Sequence, residues 1–74
     1  MRWVKMARTV HANGETEIRY GAAGTVTEIE SRKRAIPHSN RSGSWMHTSY
    51  FVIRSDGSEK EYTTLKDAIA AAEQ

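Results

Sequence analysis

The chain has 74 residues, no cysteine, and 11 Lys or Arg against 9 Asp or Glu, for a formal net charge of +2. Without cysteine there is no disulfide, thiol chemistry or cysteine zinc site, and a single domain this small has a core that supplies only about 3–5 kcal/mol of net stability. Met1 to Arg8 begins with a cation but contains no continuous apolar run, so neither a signal peptide nor a membrane span is expected and a cytoplasmic product is.

Trp3 to Val10 is rich in apolar and β-branched residues and reads as a first strand, with Val4 and Met6 on one face and Lys5 on the other. Asn13-Gly14 supplies a hairpin turn. Glu15 to Tyr20 then alternates, placing Thr16, Ile18 and Tyr20 on one face of a half-buried strand. Gly21-Ala22-Ala23-Gly24 breaks that pattern, and Thr25 to Glu30 resumes a β-prone run. Val26 and Ile29 have opposite parity there, so either the strand is bulged or only one of them is core, and a bulge or bend is the favoured expectation.

Ser31 to Trp45 holds Arg32, Lys33, Arg34 and Arg41, one proline, one glycine and no carboxylate. It reads as a long basic loop over 31–45 between two neighbouring strands, and a loop of that length in a small domain is commonly functional. Trp45 to Arg54 is the strongest strand, with Tyr50-Phe51-Val52-Ile53 apolar on both faces as in a central strand covered on each side. Asp56-Gly57 marks a second hairpin turn, with Glu59 to Thr63 as the returning strand. A helix of about 64–73 closes the chain: Thr64 is the N-cap, Asp67 stands three residues on, and Leu65, Ala68, Ile69 and Ala72 form one apolar stripe.

These elements give an α+β, mainly β, single domain over 1–74: about five antiparallel strands in a curled meander with the helix packed on the sheet. Gly24-Thr25-Val26 entering a strand, with Tyr50 to Gly57 ending in Asp-Gly, resembles small SH3-like β-barrels over roughly residues 18–63. That resemblance implies a barrel whose long loop contacts the ligand. The helix lies outside such a barrel and leaves open a plain antiparallel sheet with the helix across one face.

Charge is sorted along the chain. Arg2, Lys5, Arg8 and Arg19 balance Glu15, Glu17, Glu28 and Glu30; the four cations of 31–47 are unopposed; Lys60 and Lys66 face Asp56, Glu59, Glu61, Asp67 and Glu73. A basic middle of this kind steers a polyanion to one region.

Enzyme chemistry finds no support. His11, His38 and His47 lack metal-ligand spacing, the glycines match no phosphate-binding fingerprint, and the serines lie in no nucleophile elbow, so neither metal nor cofactor is expected. Glu28 with Glu30, and Glu59 with Glu61, read as solvated strand faces, and Asn40-Arg41-Ser42 as a chance match to a glycosylation acceptor. A non-enzymatic binding module is expected, with Arg32, Lys33, Arg34 and Arg41 on phosphates, His38 and Asn40 hydrogen bonding, and Trp45 stacking on a base. The alternative is a small protein-interaction module, such as a phage-type or mobile-element-type inhibitor of a host complex, in which the same arginines meet an acidic protein surface. A third is an accessory domain with no ligand of its own. Homodimerisation through the edge strands 3–10 or 59–63 is a further expectation, and membrane contact is not.

Overall fold

In the computed structural model, which describes residues 1–74, five strands hydrogen-bond antiparallel in simple chain order, followed by one helix. They are β1 (Trp3–Val10), β2 (Thr16–Ala22), β3 (Glu28–Pro37), β4 (Ser44–Ile53), β5 (Glu59–Tyr62) and α1 (Leu65–Ala72). No pairing joins β1 to β5, so the sheet is open, and of the two architectures the sequence allows, the open sheet with a helix across one face is the one observed.

The core is small and lies between α1 and one end of the sheet. Ile29 of β3 and Val52 of β4 are register partners, and both are buried against Ala68 and Ala72 one helical turn apart. Alanine lets the helix backbone approach closely, while Trp3, Tyr20, Tyr50, Tyr62, Leu65 and Ile69 seal the rim. Thr64 caps the helix, its hydroxyl accepting from the Asp67 N–H at 3.1 Å, as the sequence implied. The last turn contains no basic residue of its own. Arg54, at the end of β4, supplies that charge by donating to the Ala71 carbonyl at 3.0 Å. Beside it, the Trp3 indole N–H donates to Glu73 at 3.0 Å and ties the first strand to the end of the helix.

Three expectations are corrected. Residues 31–45 are not a long loop: β3 runs to Pro37, β4 starts at Ser44, and only residues 38–43 turn between them. Lysine and arginine side chains leave a strand on alternate faces, and there each finds space or a carboxylate, so the charge run does not oppose the ladder. Pro37 falls where β2 no longer pairs with β3, so its missing N–H costs no ladder bond. Second, the irregularity expected between Val26 and Ile29 is absent. Val26 is exposed ahead of β3 and only Ile29 is core, whereas a bulge occurs at Met6 in β1. Third, β4 is covered on one face only; on the other, Phe51 is shielded by the guanidinium of Arg32 lying 4.0 Å above its ring.

β2 pairing ends at Thr16↔Lys33, but β3 and β4 pair on to Pro37↔Ser44, so residues 34–47 continue as a two-stranded ribbon. The molecule is correspondingly long, about 46 Å by 21 Å by 21 Å. Where the ribbon leaves β2, the Glu15 carboxylate accepts the Ala35 N–H at 3.0 Å, in the place a further strand residue would have taken.

Candidate functional site

Strand register assigns every sheet side chain to one of two faces, because residues paired across an antiparallel ladder share a face. The helix-bearing face receives Lys5 and Arg8 from β1, Lys33 from β3 and Lys60 from β5. It receives no strand carboxylate. Glu17, Glu28, Glu30, Glu59 and Glu61 all fall on the opposite face, with Arg19, Arg32 and Arg34. Lys5 and Arg8 have opposite parity in sequence; the bulge at Met6 shifts the register between Lys5 and Ala7 and brings both to the helix side.

On the open, helix-free face the charges neutralise one another. Arg32 bonds Glu30 and, at 3.1 Å, Glu59. Arg34 bonds Glu17 at 2.6 Å, and the second oxygen of that carboxylate meets His11 Nε2 at 2.7 Å. Arg19 lies 3.6 Å from Glu28 and 3.8 Å from Glu30. The rows Glu28–Glu30 and Glu59–Glu61 do share one face, but Glu30 is tied into this network rather than simply solvated, its side chain only 15 % exposed. Contact with His11, then with Arg34, holds the Glu17 carboxyl below its ordinary range, and the Ala35 N–H followed by the Asn13 side chain does the same for Glu15.

The seven residues expected to form one site are therefore divided. Arg32, Arg34 and Trp45 lie on the ion-paired face, Lys33 on the other, and His38, Asn40 and Arg41 in the turn at the ribbon tip. Trp45 is 47 % exposed, opposite Ile36 across the ladder, with His47 edge-on at 5.5 Å between ring centres.

Both faces have depressions, two on the ion-paired face and one on the helix side. The largest, about 420 Å³, lies between Arg32, Arg34, Ile36, His47, Phe51 and Glu61 on the ion-paired face. An anion entering there would have to displace carboxylates from both arginines. The second, about 260 Å³, lies on the helix side, just beyond the helix. Arg8 and Lys33 line it together with the hydroxyl-bearing residues Tyr20, Ser31, Thr48 and Tyr50, and Thr16 and Ile18 of β2. No carboxylate lies within 4.0 Å of Lys5, Arg8, Lys33 or Lys60. Burial, and secondarily Tyr50, raises the Tyr20 phenol, which is therefore a protonated hydrogen-bond donor at neutral pH.

Sequence reading missed Lys5, Arg8 and Lys60 because they lie outside the basic run, and missed the hydroxyl-bearing lining because its members are scattered over three strands. Alternation gave part of the signal: Thr16, Ile18 and Tyr20 were already on one face. The bulge that adds Arg8 beside Lys5 leaves one trace in the sequence, Gly21 of β2, where a side chain would collide with Met6.

No group of three or more His, Cys, Asp or Glu side chains is placed to hold a metal ion, and no helix is long and apolar enough to cross a membrane. Comparison with protein-family models, with curated proteins and with solved structures finds no match.

Proposed function

We propose that this domain is a non-enzymatic nucleic-acid-binding module that holds the phosphate backbone on its helix-bearing face. One observation carries the reading: strand register sorts four sheet cations onto a face with no strand carboxylate and sends all five strand carboxylates to the other. Cations without carboxylate partners gain a phosphate contact and release counterions without first breaking an ion pair. Arg32 and Arg34, each already bonded to glutamates, would have to break theirs. The basic run contributes through Lys33, and through Arg41, His38 and Asn40 at the tip of a ribbon narrow enough for a major groove.

Fluorescence anisotropy with labelled duplex DNA, single-stranded DNA and single-stranded RNA at low salt tests the reading. Arg8→Gln and Lys33→Gln should each weaken binding several-fold, while Arg19→Gln, on the opposite face, should leave it nearly unchanged. Equal losses from both faces, or no binding to any of the three probes, would sink it.

A second reading has its own observation. Trp45 and Ile36 on one side of the ribbon and the exposed Met46 on the other make an apolar end that suits a protein partner. A domain that binds no nucleic acid but recovers a stoichiometric protein from its host, and loses it on Trp45→Ser, would favour that reading.

A further inference from the structure

We infer that the depression beside the helix is a subsite for a single phosphate group, with Arg8 and Lys33 as its charged arms and the hydroxyls of Tyr20, Ser31, Thr48 and Tyr50 as its donor floor. This rests on the nucleic-acid reading only for the source of the phosphate. A phosphodiester of a bound strand and a phosphomonoester of a small molecule present the same oxygens.

The first support is the state of the hydroxyls. No protein group hydrogen-bonds the side-chain oxygens of Tyr20, Ser31, Thr48 or Tyr50 within a network that otherwise engages Thr16, Thr25 and Thr64. Ser31 is buried as a residue, yet no enclosed side-chain polar atom in the protein lacks a partner. Its oxygen therefore opens into the depression rather than into the core. Tyr20, Ser31, Thr48 and Tyr50 line one concavity and no protein group engages their hydroxyls, which leaves them open to an incoming acceptor.

The second is the placement of the cations. Arg8 and Lys33 stand on β1 and β3, two strands apart and offset by two residues along the ladder, so their backbones are separated by about 12 Å. Long side chains rooted on either side of β2 reach one anion lying over Thr16 and Ile18, and the arginine can offer it two parallel N–H bonds. β2 contributes no charge to this floor, because Glu17 and Arg19 point to the other face. The third is the absence of a competing acceptor: the lining holds no carboxylate, and burial raises the Tyr20 phenol further above neutral pH. A set of donors with no negative charge selects an oxyanion over a cation or a neutral ligand.

The test uses the full chain with two probes, inorganic phosphate followed by amide-resolved NMR titration, and a labelled DNA duplex followed by anisotropy. Phosphate should produce saturable shifts confined to Thr16, Ser31, Lys33, Thr48 and Tyr50. Tyr50→Phe, which keeps the ring packed in the core, and Ser31→Ala should each weaken phosphate binding about tenfold, the worth of a hydrogen bond to a charged group. Both variants should retain the native circular dichroism spectrum, and the double variant Arg8→Gln/Lys33→Gln should abolish the shifts. If the duplex binds and neither hydroxyl variant changes the affinity of either probe, the subsite is wrong and the nucleic-acid reading stands. If phosphate binds with the expected variant pattern and the duplex does not, the subsite is right and its ligand is a small phosphomonoester. Shifts that never saturate, or that spread over every surface cation, overturn the subsite.

Discussion

Ile29 is, with Val52, one of the two largest side chains the fold encloses. It is fully enclosed, with 0 % exposure, and it meets both the sheet partner Val52 and the helix alanines. Only four apolar residues are buried, so there is little neighbouring mass to collapse into a vacated space. Ile29→Ala is expected to cost about 3–4 kcal/mol, within the usual range for such truncations. In a domain with so little to lose, urea titration should then show a largely unfolded population in water. Glu17 acts at the same scale through charge. Its folded carboxyl lies below the ordinary value of 4.5, so its contribution to stability is complete above that value and is lost as pH falls through the lowered folded one. Thermal melts should therefore fall modestly as pH drops below the ordinary value of 4.5, and Glu17→Gln should remove that part of the dependence.

At the scale of elements, the helix and the ribbon depend on different things. α1 has eight residues and would not form alone; it stands because Thr64 fixes its start, Arg54 answers its last carbonyls and the sheet buries one side. Thr64→Ala should cost about 1 kcal/mol in chemical denaturation, with the helical far-UV signal falling before the sheet signal. The ribbon of residues 34–47 has no helix over it, and it joins the sheet through the pairing of β3 with β4 and the Glu15 bond to Ala35. Glu15→Gln weakens that acceptor, so hydrogen exchange at the Ala35 amide should speed up while exchange at Ile29 stays unchanged. Much of this level was legible in the sequence: both hairpin turns, the helix with its cap and stripe, and the alternation of β2. The ends of β3 and β4 were not, because serine, proline and a row of cations look like a loop until cross-strand partners are supplied. Within the strands Arg32 and Arg34 meet Glu59 and Glu17, partners distant in sequence, besides Glu30 two residues from Arg32.

For the whole molecule, the division of charge between two faces is the property that matters. Net charge alone argues weakly for a polyanion partner, but Arg8 and Lys33 share a depression without carboxylates, and Lys5 and Lys60 stand on the two edge strands of the same face. If Lys5, Arg8, Lys33 and Lys60 all neutralise phosphates, binding to duplex DNA should fall with salt at a log–log slope of about −3 to −4. Removing one of them should reduce the slope by about one. The same analysis applied to Arg34→Gln should leave the slope unchanged, since that residue is already neutralised by Glu17.

By itself the sequence determined the number and order of the elements, the hairpin turns and the capped helix, because each of these rests on short-range alternation, turn chemistry and local hydrogen bonding. It also placed the basic middle, though not its form. Only the tertiary structure decided which cations stand together. A strand sends neighbouring side chains to opposite faces, so Lys33 is separated from Arg32 and Arg34, its neighbours in the chain, by the thickness of the sheet. Arg8 and Lys33, far apart in the chain, share a groove through register and a single bulge.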